Sequence, residues 1–61
     1  MSHSSEIAER IITLLKDEPM FFYGILQALE DVDYRVILQA WGILREKDLL
    51  ARDKEGRYLL Q

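Results

Sequence analysis

The segment LLARDKEGRYLL, residues 49–60, decides the fold that we predict for this chain. Two apolar runs flank Lys54-Glu55-Gly56, a composition typical of a tight turn between paired strands. A type I turn at Lys54-Glu55, followed by Gly56 at positive φ as a bulge, closes the hairpin. The predicted pairs are Asp53 with Arg57, Arg52 with Tyr58, and Leu50 with Leu60. Because one hairpin is marginal in water, we expect it to pack on helices through Leu50, Tyr58 and Leu60.

Before the hairpin, apolar residues recur at helical spacing in three segments. The first helix carries Ile7, Ala8, Ile11, Ile12, Leu14 and Leu15. Ser4 or Ser5 is its expected N-cap, and Pro19 should end it near Asp17 by disfavouring helical geometry at Glu18. Met20-Phe21-Phe22 is interpreted as an extended connector, which precedes a short second helix from about Tyr23 to Glu30.

The third helix should begin after a tight turn, with Asp33 as its N-cap, and run to about Lys47. Its predicted core stripe is Ile37, Ala40, Trp41 and Leu44. Asp48 follows at a position that commonly takes left-handed geometry, which Asp tolerates better than most residues. The predicted fold class is therefore mainly α with a small β-hairpin, built from three helices and a C-terminal wing.

Length and composition indicate a single domain over residues 1–61, in which we expect residues 1–4 to form a disordered tail. The apolar content of 49% supplies one core, and the lack of cysteine excludes disulfides and thiolate metal sites. No apolar run approaches the ~18 residues of a membrane span. The opening MSHSSE also lacks the regions of a signal peptide, so we expect a cytoplasmic protein that does not enter a membrane.

The net charge of −3 is unevenly distributed along the chain. Residues 1–30 hold two basic and five acidic side chains, a net −3, whereas residues 31–61 hold six of each kind. Strong nucleic-acid binders usually carry a basic domain. Any contact with DNA must therefore come from one local surface against an acidic remainder.

The residue types that perform catalysis or bind metals are sparse or scattered. His3 is the only histidine and lies in the predicted tail, and the sequence contains no Gly-rich phosphate loop. The carboxylates are spread over solvated faces without the spacing of metal ligands. We predict a protein without enzymatic activity, bound metal or cofactor.

Three helices and a hairpin, with a tight turn between the second and third helices, are the plan of a winged helix-turn-helix. DEPMFFYGILQAL (residues 17–29) resembles the Gly-Pro-Met-x-Gly-Tyr-x-Ile segment of PadR-like regulators, although Phe22 replaces a Gly. ILREKDLLARDKEGRYLL (residues 43–60) resembles the recognition-helix end and wing of PadR-like and MarR-like regulators, although Asp48 also replaces a Gly. A weaker likeness is to the small winged-helix protein encoded beside dissimilatory sulfite reductase.

This resemblance implies that the third helix enters the major groove of double-stranded DNA and that the wing contacts backbone or minor groove. Arg35 could contact guanine or phosphate, and Gln39 could pair with adenine. The candidate DNA-binding residues are Arg35, Gln39, Arg45, Arg52, Lys54 and Arg57. In the alternative interpretation these charges are only solvated, and those of the wing protect a strand edge from aggregation.

The third helix is also more apolar than one buried stripe requires. Tyr34, Leu38 and Gly42 recur at a spacing of four, and Gly costs about 1 kcal/mol in a helix interior. With Leu59 they form a candidate protein interface. Alternatively, Leu38 and Gly42 pack under the N-terminal segment or under the aromatic connector, where Phe21 and Phe22 could cover them within the chain.

Two functions are compatible with these features. The first is a small transcription regulator that binds double-stranded DNA, with a homodimer expected. The second is a winged-helix protein-interaction module, which would serve as an accessory subunit or modulator of a larger complex.

Overall fold

The computed structural model describes residues 3–61, which form three helices followed by two strands. The helices are α1 (His3–Asp17), α2 (Phe22–Ala28) and α3 (Tyr34–Glu46), and the strands are β1 (Leu50–Arg52) and β2 (Tyr58–Leu60). The strands pair as an antiparallel hairpin. This confirms the mainly helical fold class, and the arrangement is compatible with a winged-helix layout. Over the described residues, no helix is long and apolar enough to cross a membrane.

One core lies between α1, α2 and α3. Its largest fully buried side chains are Ile11, Ile25, Leu29 and Leu44. The predicted α3 stripe is confirmed, because Ile37, Ala40, Trp41 and Leu44 are all buried. The hairpin adds Leu50, Tyr58 and Leu60 to the edge of this core. The apolar pattern of α3 therefore fixes which face of the helix is left for solvent or a partner.

The start of α1 differs from the prediction. Neither Ser4 nor Ser5 is the N-cap, because α1 already includes His3. Ser4 is buried inside the helix instead, and its Oγ donates a hydrogen bond to Oε1 of Gln39 at 3.2 Å. Of the predicted tail, His3 and Ser4 are thus helical, while residues 1 and 2 lie outside the described part of the chain. Packing of α1 on α3 extends the helix beyond its local capping signals.

Both ends of α3 match the prediction. The carboxylate of Asp33 accepts the backbone N–H of Arg35 at 2.8 Å, which satisfies one of the free donors at the helix start. At the other end Asp48 has a φ of 59°. Its N–H donates to the Arg45 carbonyl, and the N–H of Leu49 donates to the Leu44 carbonyl. These two bonds are those of a Schellman motif, so the chain turns sharply into the hairpin.

The connector between α1 and α2 is more than an extended link. Met20 and Tyr58 exchange two backbone hydrogen bonds, of 2.9 and 2.7 Å, so Met20 adds a single bridge to the free edge of β2. Helix α2 then starts at Phe22, one residue earlier than expected, and ends at Ala28, two residues earlier than expected. The bridge fixes the hairpin to the helices through the backbone as well as through side chains.

The hairpin, residues 50–60, has the predicted register, and we call it the wing. Leu50 pairs with Leu60 and Arg52 with Tyr58, and the N–H of Asp53 donates to the Arg57 carbonyl. Gly56 has a φ of 91°, a left-handed conformation that favours glycine. The Asp53 carboxylate also accepts the backbone N–H groups of Glu55 and Arg57, at 3.0 and 2.9 Å, which stabilises the turn.

Candidate nucleic-acid interface

An open groove of about 630 Å³ separates the C-terminal half of α3 from the wing. It is lined by Trp41, Arg45, Asp48, Leu50, Ala51, Arg52 and Tyr58. Trp41 forms its floor, with ring centroids 4.9 Å from Phe22 and 4.8 Å from Tyr58 in edge-to-face contacts. This aromatic cluster holds α2, α3 and the wing together, and so fixes the position of both walls. We call it the α3–wing groove.

Two guanidinium groups belong to the α3–wing groove. Arg45 is exposed on the last turn of α3. The guanidinium of Arg52 lies 5.2 Å from the centroid of the Tyr58 ring, within cation–π range. Neither forms an ion pair with a carboxylate among residues 3–61. Their charges therefore remain available to an anion that approaches the groove.

Arg57, unlike the other predicted DNA-binding cations, lies in an ion-pair network within the wing. Its Nε donates to Asp53 Oδ2 at 2.8 Å, and an Nη contacts Glu55 Oε2 at 3.0 Å. Desolvation raises the pKa of Asp53, but hydrogen bonds from Arg57 and from the backbone of Glu55 together lower it below its usual value. Arg57 therefore stabilises the wing, and two carboxylates partly compensate its charge. Lys54, beside it at the turn, is exposed and has no ion-pair partner in the described chain.

The outer face of α3 combines one free cation with apolar side chains. Arg35 is exposed, and its guanidinium forms no ion pair over residues 3–61. Leu38 and Tyr34 are 46% and 54% exposed. The Gln39 side chain is exposed, but its carbonyl is held by Ser4 of α1, so it is oriented toward α1. Of the predicted base-reading pair, Arg35 is free whereas Gln39 is already partly engaged.

The idea that the connector covers this face is wrong. A methyl group at Gly42 would meet nothing within 4 Å beyond its own helix, so no part of the described chain lies over it. Phe21 is itself 47% exposed, and Phe22 packs on Trp41 rather than on Leu38. The connector and the outer face of α3 are separate surfaces, because Phe22 packs inward against Trp41 and Tyr58.

Sequence reasoning missed three features of this surface. Glu46 is exposed at the C-terminal end of the α3 outer face. A carboxylate in the last turn of a helix is unusual, because the helix dipole favours cations there. This unusual charge is the sequence signal that could have pointed to Glu46. Phe21 and Tyr23 expose aromatic rings, by 47% and 66%. Leu59, by contrast, is only half-buried and lies on the other side of β2 from the core, as its place in the register predicted.

The structural elements separate the charge more sharply than a division at residue 30. Residues 3–33, which include α1, α2 and the turn before α3, hold two basic and seven acidic side chains, a net −5. Residues 34–61, which form α3 and the wing, hold six basic and four acidic side chains, a net +2. α3 and the wing are thus locally basic on an acidic chain.

Among residues 3–61, no group of three or more His, Asp or Glu side chains is placed to hold a metal ion. No protein-family model matches the chain, and comparisons with curated proteins and with solved structures gave no match.

Proposed function

We propose that this protein binds double-stranded DNA through α3 and the wing, as a small transcription regulator of the PadR-like or MarR-like kind. The observation that carries the proposal is the distribution of unpaired cations. Arg35, Arg45, Arg52 and Lys54 have no carboxylate partner among residues 3–61, and all belong to α3 or the wing. On the acidic half Arg10 is paired with Asp31 at 3.2 Å. Lys16 of α1 and Lys47, at the C-cap of α3, also have no carboxylate partner among residues 3–61, so most but not all of the unpaired cations belong to α3 and the wing.

The arrangement matches what a winged helix needs at DNA. Arg35 stands in the first turn of α3, from which side chains of a recognition helix reach base edges or adjacent phosphates. Arg45 and Arg52 flank the α3–wing groove, where a phosphate backbone could pass between helix and wing. Lys54 lies at the tip of the wing. Phosphate contacts of this kind position the protein, and only Arg35 is placed to add base specificity.

A salt titration tests the proposal directly. Each phosphate contact contributes a slope of about −0.9 to log K against log salt, so phosphate contacts by Arg45, Arg52 and Lys54 predict about −2.7. Replacing Arg52 and Lys54 together with Ala should reduce the slope by about 1.8 and weaken all sequences alike. Arg35→Ala should instead change sequence preference. Fluorescence anisotropy with duplex DNA, at low salt and then at increasing salt, measures each quantity.

Lys16→Ala is the matched control, because it removes one exposed cation from α1 rather than from α3 or the wing. It should leave the slope unchanged. If the intact protein does not bind duplex DNA at low salt, or if Lys16→Ala lowers the slope as much per charge as the wing variant does, the proposal is wrong.

A second function is favoured by a different observation. Tyr34 and Leu38 expose apolar surface next to the bare backbone of Gly42, on a face where a DNA reader is usually polar. This supports a winged-helix protein-interaction module that serves as an accessory subunit or modulator of a larger complex. Leu38→Ser discriminates the two functions, because it removes the apolar contact without adding a charge, and so should weaken protein binding through α3 while leaving the salt slope near its wild-type value.

A further inference from the structure

We infer that α3 pairs with α3 of a second copy of this chain, antiparallel and around a two-fold axis at the level of Gln39 and Gly42. The partner surface is therefore a copy of this one. The inference goes beyond DNA binding, and only its consequence for DNA, given below, rests on the proposed function.

The first support is the spacing of charges on the outer face of α3. Arg35 and Glu46 are eleven residues apart, which is close to three helical turns, so they lie on one face, about 16 Å apart. Neither forms an ion pair over residues 3–61. A two-fold axis midway between them brings Arg35 of each copy to the partner's Glu46. Two complementary ion pairs then form at the two ends of one contact, as an isologous interface requires.

The second support is the sign of these charges relative to their own helix. Arg35 is in the first turn and Glu46 in the last, and helix dipoles favour the opposite signs at both ends. Each is thus slightly unfavourable within one copy. In the antiparallel pair each comes near the opposite end of the partner's α3, where its sign is favoured. Residues that break a local rule without a local benefit are expected at functional contacts.

The third support is the shape at the centre of the contact. Gly42 leaves the helix backbone bare, and nothing in the described chain fills the space beside it. The same axis places Leu38 and Gln39 of one copy over the partner's Gly42. Leu38, now 46% exposed, would then be covered by a helix surface without a side chain in the way. A glycine that costs helix stability thus allows two helices to approach closely.

The contact should be weak. One pair of short helices buries less than the roughly 1,200–2,000 Å² of a standard interface, so we expect a dissociation constant above about 1 μM. Under the proposed function, this contact covers Arg35 and the outer face of α3. Self-association and DNA binding would therefore exclude each other, and a concentrated pool would be held as DNA-free dimer.

Charge exchange between two copies tests the pairing, by sedimentation equilibrium of the full chain from micromolar to millimolar concentration. Arg35→Glu places Glu against Glu in both ion pairs, and Glu46→Arg places Arg against Arg. Each variant alone should associate at least about tenfold more weakly than wild type, because like charges face each other at both ends. An equimolar mixture of the two should associate as wild type does, since the heterodimer has two complementary pairs. Both changes also suit the dipole of α3, so folding should be retained.

Gly42→Gln independently tests the close approach of the two helices at the centre of the contact. A good helix former replaces glycine in open space, so the melting temperature of the monomer should rise while self-association is lost. A wild-type protein that stays monomeric at millimolar concentration overturns the inference, and so does a mixture that fails to restore association. Retained association in Gly42→Gln overturns it as well.

None of these measurements contains DNA, so they decide the pairing independently of the proposed function. The DNA arm adds duplex at low salt to wild-type dimer. If the dimers convert to complexes with one copy of the protein per DNA site, self-association and DNA binding exclude each other as inferred. Dimers that stay paired through α3 on DNA overturn this consequence.

Discussion

Trp41→Ala is the perturbation that most directly tests how the fold holds the candidate interface. Trp41 is 8% exposed and makes edge-to-face contacts with Phe22 of α2 and Tyr58 of the wing. Removing a buried Trp costs about 3–5 kcal/mol. We expect the upper part of that range, because each aromatic pair contributes about 0.5–1.5 kcal/mol beyond the area that it buries.

That loss is large compared with what a chain of this size has available. At about 0.05–0.15 kcal/mol per residue, a domain of 61 residues has a free energy of unfolding of roughly 3–9 kcal/mol. Trp41→Ala should therefore be largely unfolded, or unfold at a much lower urea concentration. The wing should be lost with the fold, since the Trp41 ring of α3 packs against Tyr58 of the wing.

Urea denaturation followed by far-ultraviolet circular dichroism measures the effect, with Trp41→Phe as the matched control. Phe keeps an aromatic ring in the floor of the α3–wing groove and should cost clearly less than Ala. Trp41 is the only tryptophan, so its emission in the native protein should be blue-shifted and should shift to the red on unfolding. A Trp41→Ala protein with the wild-type urea midpoint, or an emission maximum typical of exposed tryptophan, would refute the assigned role of the cluster.

Three further outcomes are expected. Gly56→Ala should lower the free energy of unfolding by about 1–3 kcal/mol in chemical denaturation, because the backbone there is left-handed and the added methyl would lie 3.3 Å from an Arg52 nitrogen; an unchanged midpoint contradicts this. The pKa of Asp53 is lowered in the folded state, so its contribution to stability is present above about pH 4 and is lost as the pH falls through the lower folded value. Asp53→Asn should make the unfolding free energy depend less on pH below about 4, and an equally steep acid loss in the variant argues against the network. Asp48→Gly should raise the melting temperature, because Asp48 has a φ of 59° at the helix end; a lower melting temperature would mean that the contact of its carboxylate with the Gln61 amide at 3.3 Å matters more.

Much of the fold is encoded in local sequence signals. The spacing of Ile37, Ala40, Trp41 and Leu44 identified the buried face of α3, because helical period alone determines which residues share a face. Asp33 predicted the start of α3, and Asp48 its end, because caps are local hydrogen-bonding motifs. The hairpin register was predictable from Gly56, since loop length and glycine position fix which residues face each other.

The predictions that failed concern residues whose conformation depends on a neighbour distant in the sequence. Ser4 is a residue type that favours N-caps, yet packing against α3 places it inside α1. Its hydroxyl there donates a hydrogen bond to the Gln39 side chain. Met20 was expected in an extended connector, and the local sequence gives no sign that it completes the edge of β2, where Tyr58 offers it two backbone groups. Propensity and capping preferences amount to about 1 kcal/mol each, and burial of a helix face exceeds them.

The candidate site shows the same division. The sequence determined that Arg35, Arg45, Arg52, Lys54 and Arg57 belong to a helix and a wing, because each lies in an element with a strong local pattern. Only the tertiary structure decided which of them are free: Arg57 is held by Asp53 and Glu55, while Arg52 rests on the Tyr58 ring. It also decided that Gly42 and Leu38 face open space rather than the connector. The physical reason is that charge and helical period are properties of the chain, whereas pairing and exposure depend on which side chains the fold brings within a few ångströms.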